Sequence, residues 1–125
     1  MSNENNNTVK FKQWTCDVQL GRYNNKRLAI QLVSAVENIK EDIYMGAPIA
    51  TATVNMPDIA INNNQIIIKS YSENEGMVNA LQKAGYISEN VQQVNIGFVD
   101  IHIAEKTDKL KELEAAKFPA KKLKM

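Results

Sequence analysis

The stretch Ile49-Ala-Thr-Ala-Thr-Val-Asn-Met-Pro57, with Gln65-Ile-Ile-Ile-Lys69 and Ser72-Glu-Asn-Glu-Gly-Met77 after it, decides the fold. Ala50, Ala52, Val54 and Met56 alternate with Thr51, Thr53 and Asn55, so the first part reads as a strand with a small-residue inner face. Threonine suits the half-exposed face of such a strand, and Pro57 ends it because proline donates no ladder hydrogen bond. Asn62-Asn63-Asn64 forms a turn into a second strand, Gln65–Lys69. Ser72 and Glu75 have the spacing of a capping box, and Glu73 and Glu75 suit the positive end of a helix dipole. Met77, Ala80, Leu81 and Ala84 then form one apolar stripe, with Gly85 as the residue beyond the C-cap and Tyr86-Ile87 folding back on the last turn. A helix over about 73–84 follows.

Upstream, Trp14, Cys16, Val18 and Leu20 alternate with polar residues, predicting a strand from Phe11 to Leu20. Gly21–Lys26 is a hairpin-type connection, and Arg27–Glu37 is a second strand whose partly apolar outer face predicts a central place in its sheet. Asn38–Gly46 reads as a loop. Downstream, Val91–Ile103 carries two overlapping alternations whose phase changes at Gly97, predicting a β-bulge there and placing Asp100 and His102 on one outer face. Thr107-Asp108 can cap a helix carrying Leu110 and Leu113, which Pro119 stops. The fold class is α+β: an antiparallel sheet of four to five strands with the 73–84 helix packed on a face, plus a C-terminal helix or arm. Residues 1–8 are expected to be disordered, 9–104 to form a single domain, and 105–125 a charged C-terminal helix or tail.

The runs Ala50-Thr-Ala-Thr-Val-Asn-Met-Pro57 and Tyr71-Ser-Glu-Asn-Glu-Gly-Met77, then Leu81 and Ala84-Gly85, resemble a family of small bacterial proteins, domain of unknown function 4313. Arg27-Leu-Ala-Ile-Gln-Leu32 and Gly97-Phe98-Val99 share the likeness. The resemblance implies a compact α+β domain, often borne by phages or other mobile elements, and assigns no catalytic residue.

At 125 residues, 44% of them hydrophobic, the chain suffices for one domain with one core. No apolar run reaches the ~20 residues of a membrane span. The opening Met1-Ser-Asn-Glu-Asn-Asn-Asn-Thr8 lacks the basic and apolar regions of a secretory signal, so a cytoplasmic protein is expected. The net charge of +1 divides unevenly: from Glu105 onward seven lysines face four acids, while residues 1–104 hold eight basic and ten acidic side chains. A slightly acidic body argues against a broad phosphate-binding face.

Cys16 is the lone cysteine and reads as a small buried hydrophobe rather than a reactive thiol. With His102 the only histidine, the usual three- or four-ligand zinc site cannot be built, and no metal or other cofactor is expected. Asp100 and His102 could act as an orienting pair for general-base catalysis, against the commoner reading as a surface hydrogen bond. Glu73 and Glu75 could be paired carboxylates, but capping already explains them. No Gly-rich phosphate loop or nucleophile elbow is present.

The expectation is therefore a non-enzymatic protein-binding protein of phage or mobile-element origin, acting on a host or element-encoded protein. An inhibitor of a host defence nuclease, of anti-CRISPR or anti-restriction type, is its most concrete form. The candidate partner-binding residues are Glu73, Glu75, Leu110, Leu113, Lys117, Phe118, Lys121, Lys122 and Lys124. Two alternatives stand beside it: a nucleic-acid accessory protein using the lysine-rich tail, and a small enzyme using Asp100 and His102.

Overall fold

The computed structural model describes residues 8–37 and 43–118. Its elements in chain order are β1 (Val9–Phe11), β2 (Trp14–Arg22), β3 (Leu28–Ser34), β4 (Pro48–Thr51), β5 (Gln65–Ile68), α1 (Met77–Lys83), β6 (Ile87–Asn95), β7 (Asp100–Lys106) and α2 (Asp108–Lys117). The α+β class read from the sequence holds. The strands divide between two antiparallel sheets, β1-β2-β3-β4 and β5-β7-β6, rather than gathering in one of four or five strands.

Two tight turns account for the extra strands. Lys12, with φ of +56°, lets Phe11 fold back so that it pairs with Trp14 across a two-residue turn. The phase change at Gly97 is likewise a hairpin and not a bulge: β6 ends at Asn95, β7 begins at Asp100, and these two residues pair. The irregularity in this ladder lies at the other end, between Ile87 and Val91, where Ser88 Oγ bonds the Asn90 backbone. As its apolar outer face predicts, β3 is central, between β2 and β4.

The alanine and threonine run joins the sheets. Ala52 N–H donates to Ile30 of β3 at 2.8 Å, while its carbonyl accepts from Lys69 just past β5 at 2.8 Å. Thr53 pairs with Ile68, and Val54 N–H donates to Ile67 at 3.1 Å. Thr53 Oγ1 accepts the Ile30 N–H at 3.1 Å and meets the Tyr23 hydroxyl at 2.9 Å. The chain thus changes sheets within three residues, and Ala52 and Thr53 are both buried.

The Ile66-Ile67-Ile68 run is buried on both faces of its sheet. Ile66 and Ile68 enter the main core with β1–β3, Met77, Leu81, Tyr86 and Leu110. Ile67 faces a smaller cluster with Ile101 and Ile103, covered by Val54, Met56, Ile59 and Ile61.

The helix begins later than the sequence suggests. Ser72–Asn74 is a 3-10 turn, Ser72 has φ of +57°, and Gly76 at φ +94° is the N-cap of α1. Ser72 therefore lacks the extended backbone a capping box needs, and the box does not form. Ser70 Oγ instead accepts the orphan Val78 N–H at 3.2 Å. Asn74, within this turn, is buried and donates through Nδ2 to Thr51 O at 2.6 Å and Lys69 O at 3.1 Å. At its other end α1 closes as expected: Gly85 N–H bonds Gln82 O and Tyr86 N–H bonds Leu81 O, both at 3.0 Å, the Schellman pattern. Tyr86 is fully buried.

Thr107 caps α2, its Oγ1 accepting from Leu110 N at 3.4 Å and donating to Gly85 O at 2.6 Å. Lys109 Nζ donates to Ala84 O at 2.6 Å, so the start of α2 satisfies carbonyls at the end of α1. The boundary drawn at residue 104 falls inside β7, and residues through Phe118 pack on the domain. The expected Pro119 stop, most of the 1–8 segment and part of the 38–46 loop lie outside the described residues.

Replacing Asn74 with Ala leaves two backbone carbonyls without their donor and is expected to cost about 1–3 kcal/mol in urea unfolding. Asn74→Asp is expected to cost more, because a carboxylate would face both carbonyl oxygens.

Candidate functional site

Four residues, Ile96-Gly97-Phe98-Val99, close the β6–β7 hairpin. Gly97 takes φ of +102°, a value that leaves little choice but glycine, and Ile96 N–H donates to Val99 O at 2.9 Å. The consequence is that Phe98 projects from the tip and is fully exposed.

The base of this turn is held by Asp100. Gln93 Nε2 donates to one carboxylate oxygen at 2.6 Å and Asn95 Nδ2 to the other at 2.8 Å. Asn95 Oδ1 also accepts the Gly97 N–H at 3.2 Å. The amides of Asn95 and Gln93 hold the Asp100 carboxyl below its ordinary 3.8, His102 adding a smaller effect in the same direction.

Beside the tip is an open hollow of about 450 Å³. Ser70, Tyr71, Ser72 and Glu75 line one side, and Phe98, Asp100 and His102 the other. Part of the Tyr71–Met77 string thus faces the hairpin tip across the hollow. Asp100 and His102 do share a face, two residues apart on β7, as their spacing requires. Both Asp100 oxygens are engaged by amides, however, and His102 Nδ1 is buried without a hydrogen-bond partner among the described residues. A carboxylate with a lowered pKa and no bond to the imidazole does not orient a general base. Neither the alternative orienting pair nor a hydrogen bond between the two side chains is formed.

Glu73 and Glu75 separate. Glu73 pairs with Lys69 at 2.7 Å, an exposed contact that holds its carboxyl below the ordinary range, while Glu75 lines the hollow. The apolar candidates in α2 are corrected by their burial. Leu110 has no exposed surface, and Leu113 and Phe118 pack partly against the core, so the stripe faces inward. Phe118 also lies 4.5 Å under the Arg22 guanidinium. Lys117 is exposed in the last turn of α2, and Lys121, Lys122 and Lys124 lie outside the described residues. Alternation groups Phe98 with Val94 and Ile96 on one apolar face, but the turn places its ring in solvent.

Cys16 is fully buried, and burial, with Asp17 adding to it, pushes its thiol up to about 11, which suits a core residue rather than a nucleophile. Among the described residues no group of three or more His, Cys, Asp or Glu side chains could hold a metal ion, and no helix is long and apolar enough to cross a membrane. No known protein family, curated protein or solved structure matches this chain.

Because the folded pKa of Asp100 lies below its unfolded value, the bonds it accepts contribute stability above the ordinary carboxylate pKa, and that contribution is lost as pH falls through the folded value. Side-chain amide NMR signals of Gln93 and Asn95 are expected to collapse toward solvent-exposed positions on acidification below about pH 4. Asp100→Asn should remove that titration.

Proposed function

We propose that this chain is a small non-enzymatic protein that binds another protein, with the β6–β7 tip and the adjoining hollow as its contact surface. The observation that carries the reading is Phe98: a fully exposed aromatic on a turn whose base is clamped by three side chains. An apolar ring presented on a pre-ordered turn loses little conformational freedom on docking, and a buried aromatic anchor with a polar surround is how a small interface concentrates its affinity. Tyr71 supplies a second aromatic across the hollow, and Glu75 and Asp100 supply a polar, acidic rim. That rim suits a basic partner surface, such as the nucleic-acid-binding face of a nuclease, by charge complementarity.

The source and concrete form we propose are a cytoplasmic protein, encoded by a phage or mobile element, that occludes a host defence nuclease. Affinity capture from host lysate, with untreated chain and Phe98→Ala in parallel, tests the reading. A stoichiometric protein partner is expected with the native chain. Phe98→Ala should weaken it at least tenfold, in the range of about 2 kcal/mol typical of an interface anchor, without lowering thermal stability. Absence of any stoichiometric partner, or equal retention by the variant, overturns the proposed contact.

A further inference from the structure

A concavity of about 690 Å³ lies at the other end of β7 from the Phe98 tip, between the β2–β3 turn, the Ile61–Gln65 loop and α2. Arg22, Lys26, Arg27, Lys106 and Lys111 line it, against a single carboxylate, Glu114. These cations come from three separate parts of the chain, in a body whose first 104 residues are net acidic.

Their bonding shows which of them remain uncompensated. Arg22 and Lys106 both donate to Glu114, at 3.2 and 2.8 Å, so one carboxylate serves two cations. The Lys106 ammonium is largely buried and also donates to Asn63 O at 2.9 Å. Arg27 spends its guanidinium on the carbonyls of Met56 and Ile59, at 2.8 and 2.7 Å, which neutralise none of its charge. Lys26 and Lys111 bond Tyr23 O and Thr107 O through their backbone N–H groups, and their ammonium groups make no hydrogen bond or ion pair with any described residue.

The amides on the loop point the same way. Asn62 Oδ1 accepts the Asn64 N–H at 2.8 Å, and Gln65 Oε1 accepts the Asn62 N–H at 3.1 Å. With both oxygens occupied, the two NH2 groups are the parts left to a ligand. The unspent groups of the cleft are therefore donors and cations, in a volume within the range of small-molecule sites.

We propose that this cleft binds phosphate groups, presented either by a single-stranded nucleic-acid backbone or by a free nucleotide. Lys26 and Lys111 contact the phosphate oxygens directly, and the Arg22–Glu114–Lys106 cluster fixes the wall between them. Phosphate suits the site because its oxygens accept several charge-assisted hydrogen bonds at once and need no acceptor from the protein. This site is independent of the Phe98 surface, and either can fail alone.

The test is fluorescence anisotropy of a labelled 12-nucleotide single-stranded DNA with the full chain, with ATP as the second probe. Binding of at least one probe is expected. The oligonucleotide's affinity should fall with salt at a log–log slope of about −2 to −3, corresponding to about three to four phosphates. The paired substitution Lys26→Glu with Lys111→Glu, both exposed positions, should weaken binding at least tenfold with the melting temperature unchanged. Lys10→Glu with Lys83→Glu carries the same charge change elsewhere and should leave binding within about twofold. ATP binding with the same dependence on Lys26 and Lys111 makes a nucleotide the source, and binding of the oligonucleotide alone makes it the backbone. Binding of neither probe overturns the proposal. So does equal weakening by the two paired variants, or displacement of the DNA by polyglutamate at the same charge concentration.

Discussion

The buried amide of Asn74 is the interaction on which the two-sheet arrangement rests. Its two N–H bonds reach the Thr51 carbonyl, where β4 ends, and the Lys69 carbonyl, just past β5. Between them the chain passes from one sheet to the other through Ala52, Thr53 and Val54, which bond to β3 on one side and β5 on the other. A sheet switch this short exposes backbone groups that neither ladder fully serves, and a buried unpaired carbonyl is costly. Asn74 supplies the missing donors from a turn stiffened by Ser72 and Gly76 in left-handed conformations.

The same joint places both candidate surfaces. Fixing β5 against the first sheet fixes β7, its neighbour, and hence both ends of β7. One end carries the hairpin with Phe98, opposite the turn that holds Asn74. The other carries Lys106, which meets Glu114 of α2 and Arg22 of β2. The aromatic tip and the cationic cleft thus stand at opposite ends of one strand. Asp100 accepts from Gln93 and Asn95 and so holds the hairpin.

The parts of the fold that were legible from the chain are those set by local rules. Alternation located β2 and β3, the isoleucine run after the asparagine turn located β5, and Gly85 with Tyr86 announced the Schellman ending of α1. Thr107 announced the cap of α2. Where such rules failed, a tertiary demand outweighed them. Ser72 and Glu75 have capping-box spacing, but Asn74 between them must turn inward, which pulls the backbone out of the extended form the box requires. The phase change at Gly97 is compatible with a bulge or a hairpin, and only pairing of Asn95 with Asp100 separates the two. Leu110, Leu113 and Phe118 form the same narrow stripe whether it faces a partner or the chain's own core; here Met77, Tyr86 and Ile87 form part of the core it joins.

Sequence alone determined the α+β class, most strand positions, the C-terminal ending of α1 and the N-terminal cap of α2, since each of these depends on residues near one another in the chain. Tertiary structure decided the division into two sheets, the inward amide of Asn74, the exposure of Phe98 and the gathering of Arg22, Lys26, Arg27, Lys106 and Lys111 around one carboxylate. The physical reason is range. Propensity and periodicity act over one turn or one strand, whereas a charge cluster drawn from positions 22 to 114 exists only after long-range pairing has brought those positions together.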